Sequence, residues 1–497
     1  MIKNLKKYLL EIVVFLSGAV VMVYELAGSR VLGPYLGTSM FIWTSLIGII
    51  LGSLSLGYWL GGRLADRKPQ HSALAWIILI AAVCIGMTTL VKGIFLGYLP
   101  RFIDGLKWQS VVASIFLFAP ASIFLGMVSP YAVRLKISAL QTSGATVGQL
   151  YAISTVGSIA GTFAAGFWLI PVLGTTNLLV SLAVMLALLS ALLFVTARQH
   201  GQSALPFLFI ATIIYFFTQS EAKADGYIDK DTQYNRIWIY DAVDDATGKP
   251  IKFMRINNES SSAMFLDSKE PVFAYARYYR LAEYFTPGFR SALILGGAAY
   301  TYPMYFLEKY PEATIDVVEI DPELTRLARD HFGLKDNPRM RIFHEDARTF
   351  INRSDYKYDV IYGDTFRSLY TLPWHLTTRE AMKRYYDLLN DGGCLLVNII
   401  SSIEGNSGLF LEAELATARA VFPCVCVFAV MDPSNQKLTQ SIMLAAVKSE
   451  TRAGFDESDS LLNEYLTHDV TDKIGSSLPV LTDELAPVDF YTNKGVR

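Results

Sequence analysis

Residues 291–303 read SALILGGAAYTYP, and three related pieces follow: IDVVEID at 315–321, FHEDA at 343–347 and YDVIYGDTF at 358–366. Each is a short apolar run that stops at Gly or at an acid. Apolar strands that alternate with helical stretches predict a parallel sheet covered on both faces. The pattern predicts strands near 291–296, 314–319, 339–343, 358–363, 393–400, 423–431 and 441–447. It predicts helices near 301–309, 322–332, 346–352, 378–389 and 409–421. In such sheets a ligand sits at the C-terminal strand tips, where the strand order reverses.

The tips carry residue types that suit a nucleoside. Gly296-Gly297 closes the first strand and lets backbone approach a ligand at the next helix N-terminus, although a Gly-Gly turn is also a common structural device. Glu319 closes the second strand, where an acid can accept both ribose hydroxyls. Asp321-Pro322 reads as a helix start, with Asp321 as its cap. Asp346 closes the third strand; it suits an exocyclic amine such as adenine N6, or simply the cap of the following helix. Asp364 closes the fourth, where a carboxylate can hold or deprotonate an amine.

Upstream of the sheet, YNRIWIYDAV (234–243), KFMRIN (252–257) and AMFLD (263–267) read as short antiparallel strands, followed by a helical stretch at 271–285. Further upstream the composition changes. The whole chain is 52% hydrophobic and 18% charged, but residues 1–220 hold few of the charges. Apolar stretches long enough to span a bilayer fall at 9–32, 39–61, 72–97, 109–133, 147–172 and 175–197. A seventh, at 204–218, contains Pro206 and is only about 22 Å long, short of a roughly 30 Å hydrocarbon core. It reads as a re-entrant or interfacial segment. Residues 9–32 read as a retained helix, since no small-residue cleavage site follows.

Lys3, Lys6, Lys7, Arg63, Arg67, Lys68, Arg134, Lys136 and Arg198 sort to alternate loops, so the N-terminus is expected in the cytoplasm. The remaining loops are assigned Lys92, Arg101 and Lys107. Six spans would keep the C-terminal half cytoplasmic as well, in a multi-pass inner-membrane protein. Gly48, Gly52, Gly57 and Gly61, and then Gly157, Gly161 and Ala165, have the spacing of close helix packing. Glu25 and Arg30 are ionisable groups near the end of the first helix, suited to an anchor or an interhelical contact.

The chain therefore divides into a multi-span helical region (1–220), a linker with a small β-rich unit (221–290) and an α/β domain (291–497). The net charge of −2 gives no reason to expect a nucleic-acid partner. The four cysteines form no CxxC pair, so neither a zinc site nor a disulfide framework is expected. No metal is expected.

Over roughly 225–450 these residues, in this order, resemble the spermidine synthase family, the polyamine aminopropyltransferases. The nearest likeness is to the branch fused to a transporter-like membrane domain, through YELAGSRVLGPYLGTS (24–39) and LPWHLTTREAM (372–382). The resemblance implies a Rossmann-like sheet of the methyltransferase and spermidine synthase type behind an α-helical transmembrane bundle. It implies S-adenosylmethionine, or its decarboxylated form, as co-substrate. Gln233, Gly296, Gly297, Glu319, Asp346 and Ala347 would bind the adenosyl part, and Asp364 would be catalytic. Glu259, Tyr300, Tyr302, Arg367 and His375 are pocket candidates. The partners implied are the bilayer and a small amine or amino-acid-like acceptor, with a homodimer left open.

The sequence departs from the family's GGGDG: here it is Gly296-Gly297-Ala298-Ala299-Tyr300. Ala299 replaces the acid that would face the aminopropyl amine. A second acid after the catalytic strand is also absent, with Arg367 in that neighbourhood. Such a site should hold a diamine poorly and a carboxylate better. Two other readings stay open: a methyltransferase on the same fold, and a transporter or sensor gated by an adenosyl ligand.

Overall fold

The computed structural model describes residues 8–37, 39–137, 143–197, 204–219, 226–257, 259–365, 372–450 and 459–494. Contacts divide the chain into two compact units, Met1–Asp225 with Asp231–Gln233, and Gly226–Lys230 with Tyr234–Arg497.

The first unit is helical. Among the described residues, five stretches are long and apolar enough to cross a membrane: Leu9–Leu36, Met40–Arg67, His71–Arg101, Leu106–Lys136 and Ser143–Thr196. The last has 54 residues, too many for one crossing. It is broken by a π-helical turn at Ala165–Leu169 and by Gly174, whose φ of 69° and ψ of 172° interrupt the helix. Gly174 falls between the two spans expected at 147–172 and 175–197, and the π-helical turn lies within the first.

Glycines seat the helices, but only some of them. Gly57 and Gly61 face Ile123, Gly126 and Met127 of the helix Leu106–Lys136, and Gly157 and Gly161 face Phe15 and Ala19 of the first helix. Any Cβ there would strike backbone, which is why these positions favour Gly. A Cβ on Gly48 or Gly52 would meet nothing within 4 Å among the described residues of other elements. One of the two spacings in that helix is a packing seam and the other faces outward.

Polar contacts mark the two ends of the bundle. At one end Glu11 pairs with Lys136, Arg134 with Asp66 at 3.2 Å, and the Tyr131 hydroxyl donates to the Lys68 carbonyl. At the other, Ser45 meets Ser110 at 2.9 Å, and Lys92 donates to Thr176 Oγ1 at 2.7 Å. Lys92 is thus a buried member of the helix His71–Tyr98 rather than a loop residue.

In the second unit β1 (Ile228–Asp231), β2 (Arg236–Val243), β3 (Pro250–Ile256) and β4 (Glu259–Phe265) form a small sheet in that order. β2, β3 and β4 pair antiparallel. The stretch expected as one helix at 271–285 is two short helices, Ala274–Tyr278 and Leu281–Phe285.

The main sheet contains β5 (Ser291–Leu295), β6 (Thr314–Val318), β7 (Met340–Phe343), β8 (Tyr358–Gly363), β9 (Leu389–Ser401), β10 (Cys424–Ala429) and β11 (Gln440–Val447). Its order is β10-β11-β9-β8-β5-β6-β7. Five strands are parallel; β11 runs antiparallel to β9, and β10 antiparallel to β11. Only the short 430–439 connection joins β10 to β11, and a parallel crossover needs a dozen or more residues. The parallel sheet expected from the sequence is thus mixed at one edge.

Alternation along the strands fills two apolar layers. Leu293, Leu295, Ile361, Leu395 and Val397 line one; Ala292, Ile294, Val360, Tyr362 and Leu396 line the other. Each fully buried side chain of this kind contributes about 1.5–3 kcal/mol. Two cores on opposite faces hold β5, β6 and β8 rigidly, so their tips are fixed points.

Candidate active site

The strand order reverses between β5 and β8, so the loops after these two strands stand side by side. The Asp364 N–H donates to the Leu295 carbonyl at 3.0 Å and ties the tips together. Gly296 has φ of 97°, a region where side chains are strained. Ala298 and Tyr300 also have positive φ, 44° and 58°, which costs about 1–2 kcal/mol each without a Gly. Something must hold so tight a turn.

Glu319 at the tip of β6 holds it. One oxygen accepts from the N–H groups of Gly297 (2.9 Å) and Ala298 (3.1 Å), and the other from Asp321 (2.9 Å). The side chain is buried, which raises its carboxyl above the usual range, against the pull of those three donors. Asp321 caps the helix Pro322–His331 as its sequence predicts, accepting from Glu323 N at 3.1 Å.

Asp346, after β7, caps the helix Ala347–Arg353 by accepting from Thr349 N at 2.9 Å. Its other oxygen lies 3.7 Å from His375 Nε2. Arg348, the second residue of that helix, donates to the His375 carbonyl and grips Asp483. Asp346, the buried Ala347 and His375 therefore form one group beside the sheet edge.

Asp364, after β8, faces a small pocket lined in part by Ser262, Tyr275, Gly296, Gly297 and Tyr302. Burial pushes its carboxyl up to about 8, with the Tyr279 hydroxyl acting in opposition. The Tyr275 hydroxyl approaches Oδ2 at 3.4 Å. Behind the pocket the Tyr279 ring lies 4.8 Å from Tyr302 and 4.9 Å from Tyr362. None of these three hydroxyls completes a hydrogen bond of good distance and angle among the described residues. The arrangement is a desolvated carboxylate against aromatic walls. Such a wall attracts a cation, and such a carboxyl can take a proton near neutral pH.

The other sequence candidates lie elsewhere. Tyr300 turns away: its hydroxyl meets Thr325 Oγ1 at 2.7 Å, beside the helix Pro322–His331. Ala299 packs with Ile239, Met254, Leu324 and Leu327, and its N–H donates to Ser262 Oγ at 3.3 Å. That apolar setting suits Ala and would penalise an acid. Glu259 starts β4 opposite Ile256, whereas Ser262, further along the strand, reaches the pocket. Gln233 is exposed, in the three-residue segment grouped with the helical unit. Arg367 lies outside the described residues. Among the described residues, no group of His, Cys, Asp and Glu could hold a metal ion.

Sequence reasoning missed Tyr275, Tyr279, Tyr362 and Ser262 as site residues. Tyr275 and Tyr279 stand four apart, the spacing of an ordinary core face, so only their approach to Asp364 distinguishes them.

The C-terminal unit is a Rossmann-like α/β domain with a mixed, mainly parallel sheet. Residues 279–453 match the family described as the spermine/spermidine synthase domain. The polyamine aminopropyltransferase of Vibrio vulnificus (strain CMCP6) is 33% identical over 178 residues, covering 35% of this chain and 58% of the relative. Thus the chain spans less than two thirds of that relative's length. Polyamine aminopropyltransferase 1 of Streptomyces coelicolor is 24% identical over 394 residues, 72% of this chain and 69% of the relative. That match is longer than the C-terminal unit and so extends into the helical one. The crystal structure of a probable spermidine synthase from Corynebacterium glutamicum aligns with 52% of this chain and 90% of its own, at 26% identity and a TM-score of 0.41.

Proposed function

We propose that the chain is a membrane-attached, spermidine-synthase-like transferase. It uses S-adenosylmethionine or its decarboxylated form as donor and a small amine as acceptor. The observation that carries this reading is Asp364: one desolvated carboxylate at the switch point, in the pocket that Gly296 also lines and beside tyrosine rings.

The adenosyl part is assigned to the tips of β5, β6 and β7. Gly296 and Gly297 admit it closely, Glu319 offers its carboxylate to the ribose, and Asp346 with Ala347 receives the base. His375 and Tyr302 border the two ends of this path. In the transfer, the amine lone pair attacks the carbon beside the sulfonium. The carbon–sulfur bond breaks with its electrons going to sulfur, methylthioadenosine leaves, and the amine's proton passes to Asp364. The sulfonium supplies the activation, so the protein contributes orientation and charge. The tyrosine walls compensate in part for the missing acid at Ala299, because a ring face favours a cation without adding a charge.

Incubation of the purified protein with each donor and a panel of amines, read by mass spectrometry, tests the proposal. Methylthioadenosine and an alkylated amine are the expected products. S-adenosylhomocysteine would mean methyl transfer on the same fold. If neither donor binds, the proposal fails.

A further inference from the structure

Along β9 the side chains alternate between the two apolar layers. Leu395, Val397 and Ile399 pack in one; Cys394 and Leu396 pack in the other, with Ile294, Tyr302 and Tyr362. By that alternation Asn398 falls on the tyrosine face. Its strand partner on β11, Met443, belongs to that layer too.

Asn398 is 1% exposed. Its Oδ1 is buried and has no hydrogen-bond partner among the described residues. Buried acceptors are nearly always satisfied, and one left without a donor destabilises the fold. The pairing of β8 with β9 ends at Gly363 and Val397, so Asn398 is one step further, level with Asp364. Neighbouring strands lie about 4.8 Å apart, so the register carries residues 364 and 398 to the same level and the same face of the sheet.

We propose that Asn398 is a further residue of the acceptor site: its Oδ1 accepts one N–H of a primary amine while Asp364 takes another. The inference rests on the transferase reading. A protonated primary amine brings three donors, and a lone carboxylate cannot meet them all in a dry pocket. A neutral oxygen binds the amine in either protonation state. A second carboxylate would instead hold it as an ammonium, which cannot attack. Asn398 thus leaves Asp364 as the sole proton acceptor and fits a substrate that presents a single primary amino group at this point.

The test uses the full-length protein in detergent, with Asn398→Leu and Asn398→Asp. Readouts are the acceptor and donor KM and the rise in melting temperature caused by n-propylamine or 1,4-diaminobutane without donor. For Asn398→Leu we expect acceptor KM to rise at least tenfold, donor KM to stay within twofold, and the amine-induced rise to vanish. For Asn398→Asp we expect a larger amine-induced rise and a pH–rate midpoint moved upward, since a like charge beside Asp364 disfavours its ionisation. A Leu variant with acceptor KM and amine response within twofold of wild type overturns the role of Asn398. Wild-type protein that responds to amine but cleaves no donor overturns the transferase reading alone, and the amine response still judges Asn398. A wild-type protein with no amine response overturns both.

Discussion

A Cβ built on Gly296 would stand 3.1 Å from the carbonyl oxygen of Asp364. The tip of β5 and the tip of β8 are therefore in contact through a residue without a side chain. Gly296→Ala meets both that contact and a φ of 97°. We expect a loss of about 1–3 kcal/mol in unfolding free energy and at least a tenfold loss in donor affinity. Denaturant melts and equilibrium binding of each donor measure the two effects.

The carboxyl of Asp364, pushed up to about 8 by burial, sets a pH dependence. If it receives the proton, kcat/KM should rise about tenfold per pH unit below 8 and level off above it. Asp364→Asn should remove that limb and lower kcat by about 10²- to 10⁴-fold. Stability should show the opposite trend. The folded carboxyl ionises at higher pH than the unfolded one, near 3.9, so its contribution is complete below pH 3.9 and lost as pH rises through 8. Asp364→Asn should melt higher than wild type at pH 7–8, by about 1–3 kcal/mol, with the gap closing near pH 4.

In the helical unit, a Cβ on Gly57 or Gly161 would strike backbone of a neighbouring helix, while one on Gly48 or Gly52 would meet nothing within 4 Å among the described residues of other elements. Gly57→Leu and Gly161→Leu should each destabilise the unit by about 1–3 kcal/mol or more through overpacking. Gly48→Leu and Gly52→Leu should stay within about 0.5 kcal/mol. Melting temperature and yield of monodisperse protein in detergent separate the pairs.

The last helix of the bundle sets a sidedness. Ser190 donates to the Ala75 carbonyl, so the helix Ile170–Thr196 ends near where His71–Tyr98 begins. Ala204–Gln219 starts after that end, and Phe209 and Ile213 lie against Gly86, midway along its neighbour. Its 16 residues rise about 24 Å, toward the end marked by Lys92 and Thr176. We expect a seventh crossing rather than an interfacial segment. With Arg67, Arg134 and Lys136 in the cytoplasm, protease added to right-side-out vesicles should digest the C-terminal half without permeabilisation. Protection of that half would restore the cytoplasmic placement.

The sheet was largely legible because buried strands write themselves as unbroken apolar runs. β8 occupies 358–363, and the helix at 301–309 lies where its pattern puts it. The direction of β11 was not legible, since an apolar run reads alike in both directions and only the length of its connection decides. At the candidate site, residues at strand tips stand out as polar endings of apolar runs. Tyr279 and Asn398 do not. A tyrosine on a short helix looks like core, and a lone Asn inside VNII takes on meaning only through the register, whose last pair, Gly363 with Val397, immediately precedes Asp364 and Asn398.

Glu319 spends both its oxygens on the backbone of the loop it borders. A sugar diol at this carboxylate would find spare acceptor capacity on the oxygen that takes only the Asp321 amide, and would otherwise compete with the loop amides. Under the proposed function, we expect recognition there to be in part an exchange reaction. Its net enthalpy should be small, its sensitivity to loop shape large, and product release correspondingly unhindered, because the loop amides return as the nucleoside leaves.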